Sequence, residues 1–365
     1  MVENYELQLF SQYLPLVVDR DDDVDRGSVL ATTLRGVVGD PLFVRVGALD
    51  ERLRQNRQGV AFAGWDIKRS YSDEELARAQ LFLLNVPMTH VSAEEYGTGY
   101  QESAACDCDG ETLDAVEGVR FRVVRKTHSC GLSSKQVGPL KLPFKKLKSG
   151  EDVYRVWGGE LVVSERFVAL VYAGGFSGTV VFPVSDVAKN DLTSPLEFTS
   201  WPAGREILAI AATKNLSPTD WAFWQWLNNE ASKPLLERLI AQMNSINGKR
   251  HPGTDSKGNF AQLVLRSKPL QVSGDSRFGA TPFDAKAIGS HRCDAGAISG
   301  LRPISQVSIV RSSWDGSDLC RTGVYVGARQ GLFRPYQLFI VSKRLLDALL
   351  QERINGLRFE VVEMV

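Results

Sequence analysis

Leu161–Val184 (LVVSERFVALVYAGGFSGTVVFPV) and Phe339–Val362 (FIVSKRLLDALLQERINGLRFEVV) align without a gap, and the pattern they share decides the fold. Val163/Val341, Ser164/Ser342, Arg166/Arg344, Gly178/Gly356 and Val184/Val362 are identical, and the apolar pattern agrees at most other positions. Each segment begins with a short β-rich run that ends at a Ser, whose hydroxyl can accept a hydrogen bond from a free N–H of a first helical turn. A few helical turns follow, then an x-Gly turn and a second apolar strand. The spacing predicts the same strand-helix-strand cassette twice. The expected fold is therefore α+β, with two related halves from a diverged internal duplication, 1–187 and 188–365.

A helical hairpin is expected at 217–248, inserted in the second half. Ser217-Pro218-Thr219-Asp220 carries a capping Ser, Pro at the first helical position and an acid in the first turn. It opens the aromatic run Trp221, Phe223, Trp224, Trp226; the second helix starts at Ser232-Lys233-Pro234 and stops at Asn247-Gly248. Trp221 and Trp224 share a face at i,i+3 spacing and are expected to pack on the core rather than to form an exposed patch. Ser72-Asp73-Glu74-Glu75 has capping-box spacing and predicts a further helix.

The length, 365 residues, suits about two domains, and 43% apolar residues exclude a disordered or fibrous chain. Lys and Arg number 43 against 43 Asp and Glu, so the overall balance gives no footprint of a nucleic-acid binder. The acidic opening Val2-Glu3-Asn4-Tyr5-Glu6 lacks the basic and apolar regions of a secretory signal, and no long uncharged apolar run occurs. A cytoplasmic protein without a membrane partner is expected.

The five cysteines do not form an evident disulfide framework. Cys106-Asp107-Cys108 and His128-Ser129-Cys130 offer four soft or borderline ligands as two close pairs, the arrangement a tetrahedral structural Zn²⁺ requires. The alternative is small buried thiols. His291, Cys293, Asp318 and Cys320 echo this stretch with a carboxylate in place of one sulfur and are expected to be a degenerate copy that no longer binds metal.

Charge is segregated around the first cysteine stretch: 102–117 holds acids and no base, whereas 119–150 holds Arg120 through Lys148 and no acid. The basic run could contact phosphates or an acidic protein, or simply lie against the acidic run. Asp19 to Asp25 alternates acids as a calcium loop does, but Val24 stands where the turn needs Gly and Leu30 where a bidentate Glu belongs. Gly274 to Thr281 has phosphate-loop glycine spacing with Ala280 where Lys belongs, and no histidine has a local triad partner. A non-enzymatic protein is expected.

At Ser103-Ala104-Ala105-Cys106, Ser129-Cys130-Gly131, Val163-Ser164-Glu165-Arg166, Phe333-Arg334-Pro335 and Gly356 to Val362, the chain resembles a loosely defined set of bacterial proteins with paired Cys-x-x-Cys-Gly motifs. Some of these are similar to immunity proteins of polymorphic toxin systems. Thr127 stands where the first cysteine of that motif would fall. The resemblance implies a binding protein that neutralises a cognate toxin by occluding it. Its alternative is a zinc-ribbon-like nucleic-acid binder using residues 120–148.

Overall fold

Both cassettes form where the sequence places them. The structure, a computed structural model, describes residues 1–17, 31–37, 39–56, 58–89, 91–102, 107–116, 120–129, 134–147, 150–188, 191–193, 198–199, 202–229, 231–247, 260–279, 281–283, 297–298, 302–327 and 334–365. The elements used below begin with β1 (Val2–Phe10), β2 (Ala31–Val37), α1 (Pro41–Gln55), β3 (Phe62–Ser70), α2 (Asp73–Arg78) and β4 (Leu81–Asn85). A hairpin, β5 (Asp107–Val116) and β6 (Arg120–Ser129), precedes β7 (Val153–Arg155) and the first cassette, β8 (Leu161–Ser164), α3 (Glu165–Ala173) and β9 (Thr179–Asp186). Then come α4 (Pro202–Thr213), α5 (Trp221–Leu227), α6 (Lys233–Asn247), β10 (Phe260–Leu265) and β11 (Leu319–Val326). The second cassette is β12 (Tyr336–Ser342), α7 (Lys343–Gln351) and β13 (Arg358–Met364).

In neither cassette do the two strands pair with each other. A third strand, antiparallel to both, lies between them: β10 between β8 and β9, and β4 between β12 and β13. Each inserted strand comes from the other half of the chain, so the halves are interleaved. The register is equivalent in the two sheets. Ser164 faces Phe260 as Ser342 faces Leu81, and Val181 faces Leu263 as Phe359 faces Leu84. Outside the cassettes β7 pairs with β8 and β11 with β12, again alike: Val153 faces Val163 and Leu319 faces Val341. Bridges from Met88 to Arg155 and from Leu270 to Thr322 join each inserted strand's continuation to the other sheet, closing a circuit of pairings.

Strand alternation turns one residue in two toward a common core. Leu161, Val163, Phe339, Val341, Phe82, Leu84, Ala261 and Leu263 enter one apolar cluster with Phe167 and Val171 of α3 and Leu345 and Leu349 of α7. The intervening residues Leu81, Leu83, Leu338 and Ile340 point to a second cluster on the outer face.

The helical hairpin covers the same core: Phe223, Trp224 and Leu227 of α5 and Leu236 and Leu239 of α6 join it, with Trp224 fully buried. Trp224 and Trp221 thus pack inward, Trp221 against Phe182 at 4.9 Å between ring centroids. The helix begins later than the Ser217-Pro218 signal predicts. Ser217 Oγ bonds Thr219 rather than capping, and the Pro218 carbonyl accepts the Trp224 indole N–H, which holds 217–220 as a turn. The second helix starts and stops as predicted, and α4, which no signal announced, packs beside it through Ala203 N–H to Gln242. The capping box at Ser72 and Glu75 forms in full.

The strands β2-β1-β3 make a separate antiparallel sheet under α1, with Leu7, Leu9, Leu34, Val46 and Leu49 between them. Asp40 caps α1, accepting from Leu42 N–H, and Pro41 sits at its first turn where no N–H is needed. This layer is fastened to β13 by Arg69, whose 2%-exposed side chain binds Glu3, Glu360 and the Ile304 carbonyl. No helix among the described residues is long and apolar enough to cross a membrane.

Candidate binding cleft

The predicted zinc ligands fall largely beyond reach of the geometry. Cys106, Cys130, His291 and Cys293 lie outside the described residues, as does the acidic run from Asp19. Cys108 and His128 lie in the β5–β6 hairpin as direct cross-strand partners, and the same register sets Glu111 opposite Arg125 and Asp114 opposite Arg122. Among the described residues no group of three or more His, Cys, Asp or Glu is arranged to hold a metal.

Of the second stretch, Asp318 and Cys320 are described. Cys320 is fully buried, donates to the Ser317 carbonyl, and burial pushes its thiol up to about 12. Asp318 accepts the Ser342 hydroxyl at 2.7 Å and the Ser177 N–H at 3.0 Å, and pairs with Arg344. Its counterpart is Asp152, not a residue of the cysteine stretch. Asp152 accepts the Ser164 hydroxyl at 2.6 Å and the Asn355 N–H at 2.9 Å, with Arg166 at 3.8 Å. Arg344 also donates to the carbonyls of Gly174 and Gly175 at the end of α3, while Arg166 donates to those of Glu352 and Arg353 at the end of α7. Each cassette's arginine thus satisfies the last carbonyls of the other cassette's helix, where a cation is favoured.

Cavities of about 410 Å³ and 330 Å³ open beside β13. In the larger, Glu75 binds the N-terminal ammonium, Arg78 pairs with Glu74, and Arg311 and Glu363 have neutral hydrogen-bond partners, Gln80 with the Met364 carbonyl for the one and Ser308 for the other. The smaller lies where β3 meets β4, β12 and β13, lined by Trp65, Asp66, Arg69, Met88, Arg155, Arg302, Tyr336, Arg358 and Glu360 among others. Within it Arg69 is paired with Glu360 and Arg358 with Asp66. Arg302 lies over the Trp65 ring, 5.7 Å from its centroid. Arg155 is 4% exposed, stacks on Tyr336 at 4.2 Å and donates to the Gly159 carbonyl at 3.3 Å, and it forms no ion pair with any described residue. The surplus charge in the cleft is positive.

Beneath it, Tyr100 donates to Glu160 Oε1 at 2.6 Å, while Oε2 is buried without a partner. Burial pushes the Glu160 carboxyl up, against the Tyr100 hydrogen bond and the charges of Arg334 and Arg155. Arg334, from the Phe333-Arg334-Pro335 stretch, lies over Tyr100 and pairs with Glu94 at 3.0 Å.

Sequence reasoning passed over Arg155. The signal available was Asp-x-x-Arg, which occurs as Asp152-Val-Tyr-Arg155 and Asp318-Leu-Cys-Arg321 before the two cassettes. The arginines are equivalent in register, Arg155 facing Leu161 and Arg321 facing Phe339, but Arg321 donates to Gln337. No protein-family model, curated protein or solved structure matches this chain.

Proposed function

We propose that the protein is a non-enzymatic cytoplasmic binding protein whose interaction surface is the cleft between β3 and the interleaved sheets. Following the resemblance to immunity proteins, its partner is a cognate toxin that it occludes. One observation carries the reading: the cleft combines Trp65 and Tyr336 with Arg155 and Arg302, whose charges no carboxylate of the cleft offsets. Trp, Tyr and Arg dominate binding hot spots, and unopposed positive charge favours an acidic partner surface. Co-expression with the product of the neighbouring gene tests it. The expected result is a stable complex and restored growth, with the Trp65→Ala, Arg302→Ala double variant binding at least tenfold more weakly, as loss of two such contacts requires. Neither complex nor rescue would sink the proposal.

The register that sets Cys108 opposite His128 favours a second reading, a zinc-bearing hairpin that contacts nucleic acid. It predicts about one zinc per chain by elemental analysis and an affinity for DNA or RNA that falls steeply with salt. A metal-free preparation that shifts neither at low salt removes it.

A further inference from the structure

We propose that Arg155 anchors a subsite for a carboxylate at the floor of the cleft, the carboxylate being carried on a small apolar or aromatic body. Burying a guanidinium costs several kcal/mol unless its charge and its donors are matched. The buried guanidiniums nearby have their charges matched, Arg69 by Glu3 and Glu360 and Arg334 by Glu94, although Arg334 Nε has no hydrogen-bond partner among the described residues. Among the described residues Arg155 has the Gly159 carbonyl and the face of Tyr336, which leave most of the five N–H donors of its planar fork without a described partner.

That fork matches the two oxygens of a carboxylate. Since Arg69 and Arg358 are already paired, a carboxylate on the floor meets the Arg155 charge, with Arg302 over Trp65 as the second cation of the cavity that no carboxylate of the cleft offsets. The surrounding Met88, Leu338, Tyr336 and Trp65 offer apolar contact to whatever carries it. At about 330 Å³ the cavity has the size of a small-ligand site. It admits a free organic acid or one acidic side chain of a bound protein. The proposal rests on the cleft being the binding surface, and not on the partner being a toxin.

Thermal melting of the purified full chain with benzoate, inorganic phosphate or hexaglutamate tests it, with Arg155→Met and Arg155→Lys beside the wild type. Millimolar benzoate is expected to raise the wild-type Tm, to leave Arg155→Met unmoved, and to bind Arg155→Lys at least tenfold more weakly, because the ammonium lacks the planar fork. Without ligand Arg155→Met is expected to melt at or above the wild type, since an apolar residue of similar length replaces a buried charge that acts on Glu160 only at a distance and forms no ion pair with a described residue. Hexaglutamate binding at least tenfold more tightly than benzoate assigns the carboxylate to a protein partner, and the reverse order assigns it to a free acid; both uphold the subsite. An Arg155→Met variant that melts well below the wild type marks the residue as structural and overturns the proposal. So does a shift produced by phosphate and not benzoate, or one that survives in Arg155→Met. A failed growth rescue with the benzoate shift intact removes the toxin reading alone.

Discussion

Asp318→Ala is expected to lower stability by about 2–3 kcal/mol, among the larger effects of any single substitution in this chain. The residue is 5% exposed and holds three things at once: the Ser342 hydroxyl that caps α7, the N–H of Ser177 from the other cassette, and Arg344. Its removal strands the buried Ser342 hydroxyl, which costs about 1–3 kcal/mol, whereas Ser177 is exposed and its N–H turns to water. Arg344 is half exposed and rehydrates, so its own share is small. Asp152→Ala is expected to cost about as much, because that carboxylate holds the equivalent Ser164 hydroxyl and Asn355 N–H while the arginine adds little in either case. Urea unfolding of the two variants beside the wild type gives the comparison; a loss under about 1 kcal/mol for either would contradict the account.

Acid sensitivity follows from the same group. Burial alone would raise the Asp318 carboxyl, but the hydrogen bonds from Arg344, Ser177 and Ser342 outweigh it and hold the group below its ordinary value. A carboxyl depressed on folding contributes stability that is present above its unfolded value, about pH 4, and is lost as the pH falls through the folded one. The acid limb of the stability profile is therefore expected to flatten in Asp318→Asn.

Gly178→Ala is the second large effect, expected at about 3 kcal/mol or more from a strained backbone combined with overpacking. Gly178 has φ +93°, and a Cβ there would lie 2.2 Å from the carbonyl oxygen of Leu319, in the strand segment that follows Asp318. Its counterpart Gly356, at φ +84°, would place a Cβ 3.0 Å from the Val153 carbonyl, in the segment that follows Asp152. Backbone cannot swing aside as a side chain does, so 2.2 Å forces the two cassettes apart, whereas 3.0 Å asks for a small shift. Gly356→Ala is accordingly expected to cost about 1–3 kcal/mol, mostly from its φ. Thermal unfolding of both variants checks the order, and a Gly178→Ala protein as stable as wild type would refute the close contact.

The identities between the two segments look thin as a similarity score, yet they fall on the residues that fasten one cassette to the other. Ser164 and Ser342 cap the helices, Arg166 and Arg344 reach across to the opposite helix end, and Gly178 and Gly356 let a strand pass close. Period and capping made the cassettes legible, because both are local. The exchange of β4 and β10 was not, since strand pairing at long range leaves no mark in the periodicity of either partner. Arg155 was hidden for a related reason. The Asp-x-x-Arg segments stand at different distances from their cassettes, because the connection between the paired strands spans 156–160 in one half and the longer 327–335 in the other. A gapless alignment stops short of that difference. The capping contact of Asp318 was hidden because spacing to a cysteine was compared, where the register to Ser342 was the informative quantity.

The interleaving also constrains how the chain is made. As it leaves the ribosome, the first cassette emerges with the gap between β8 and β9 unfilled, and it stays unfilled until Phe260–Leu265 follow. Leu81–Asn85, already synthesised, has no strand to lie against until Tyr336–Ser342 and Arg358–Met364 appear. Sheet closure is therefore late in both units, waiting on Phe260–Leu265 in the first and on Arg358–Met364 in the second, a high-contact-order step that ordinarily proceeds slowly, with strand edges open to other chains in the meantime.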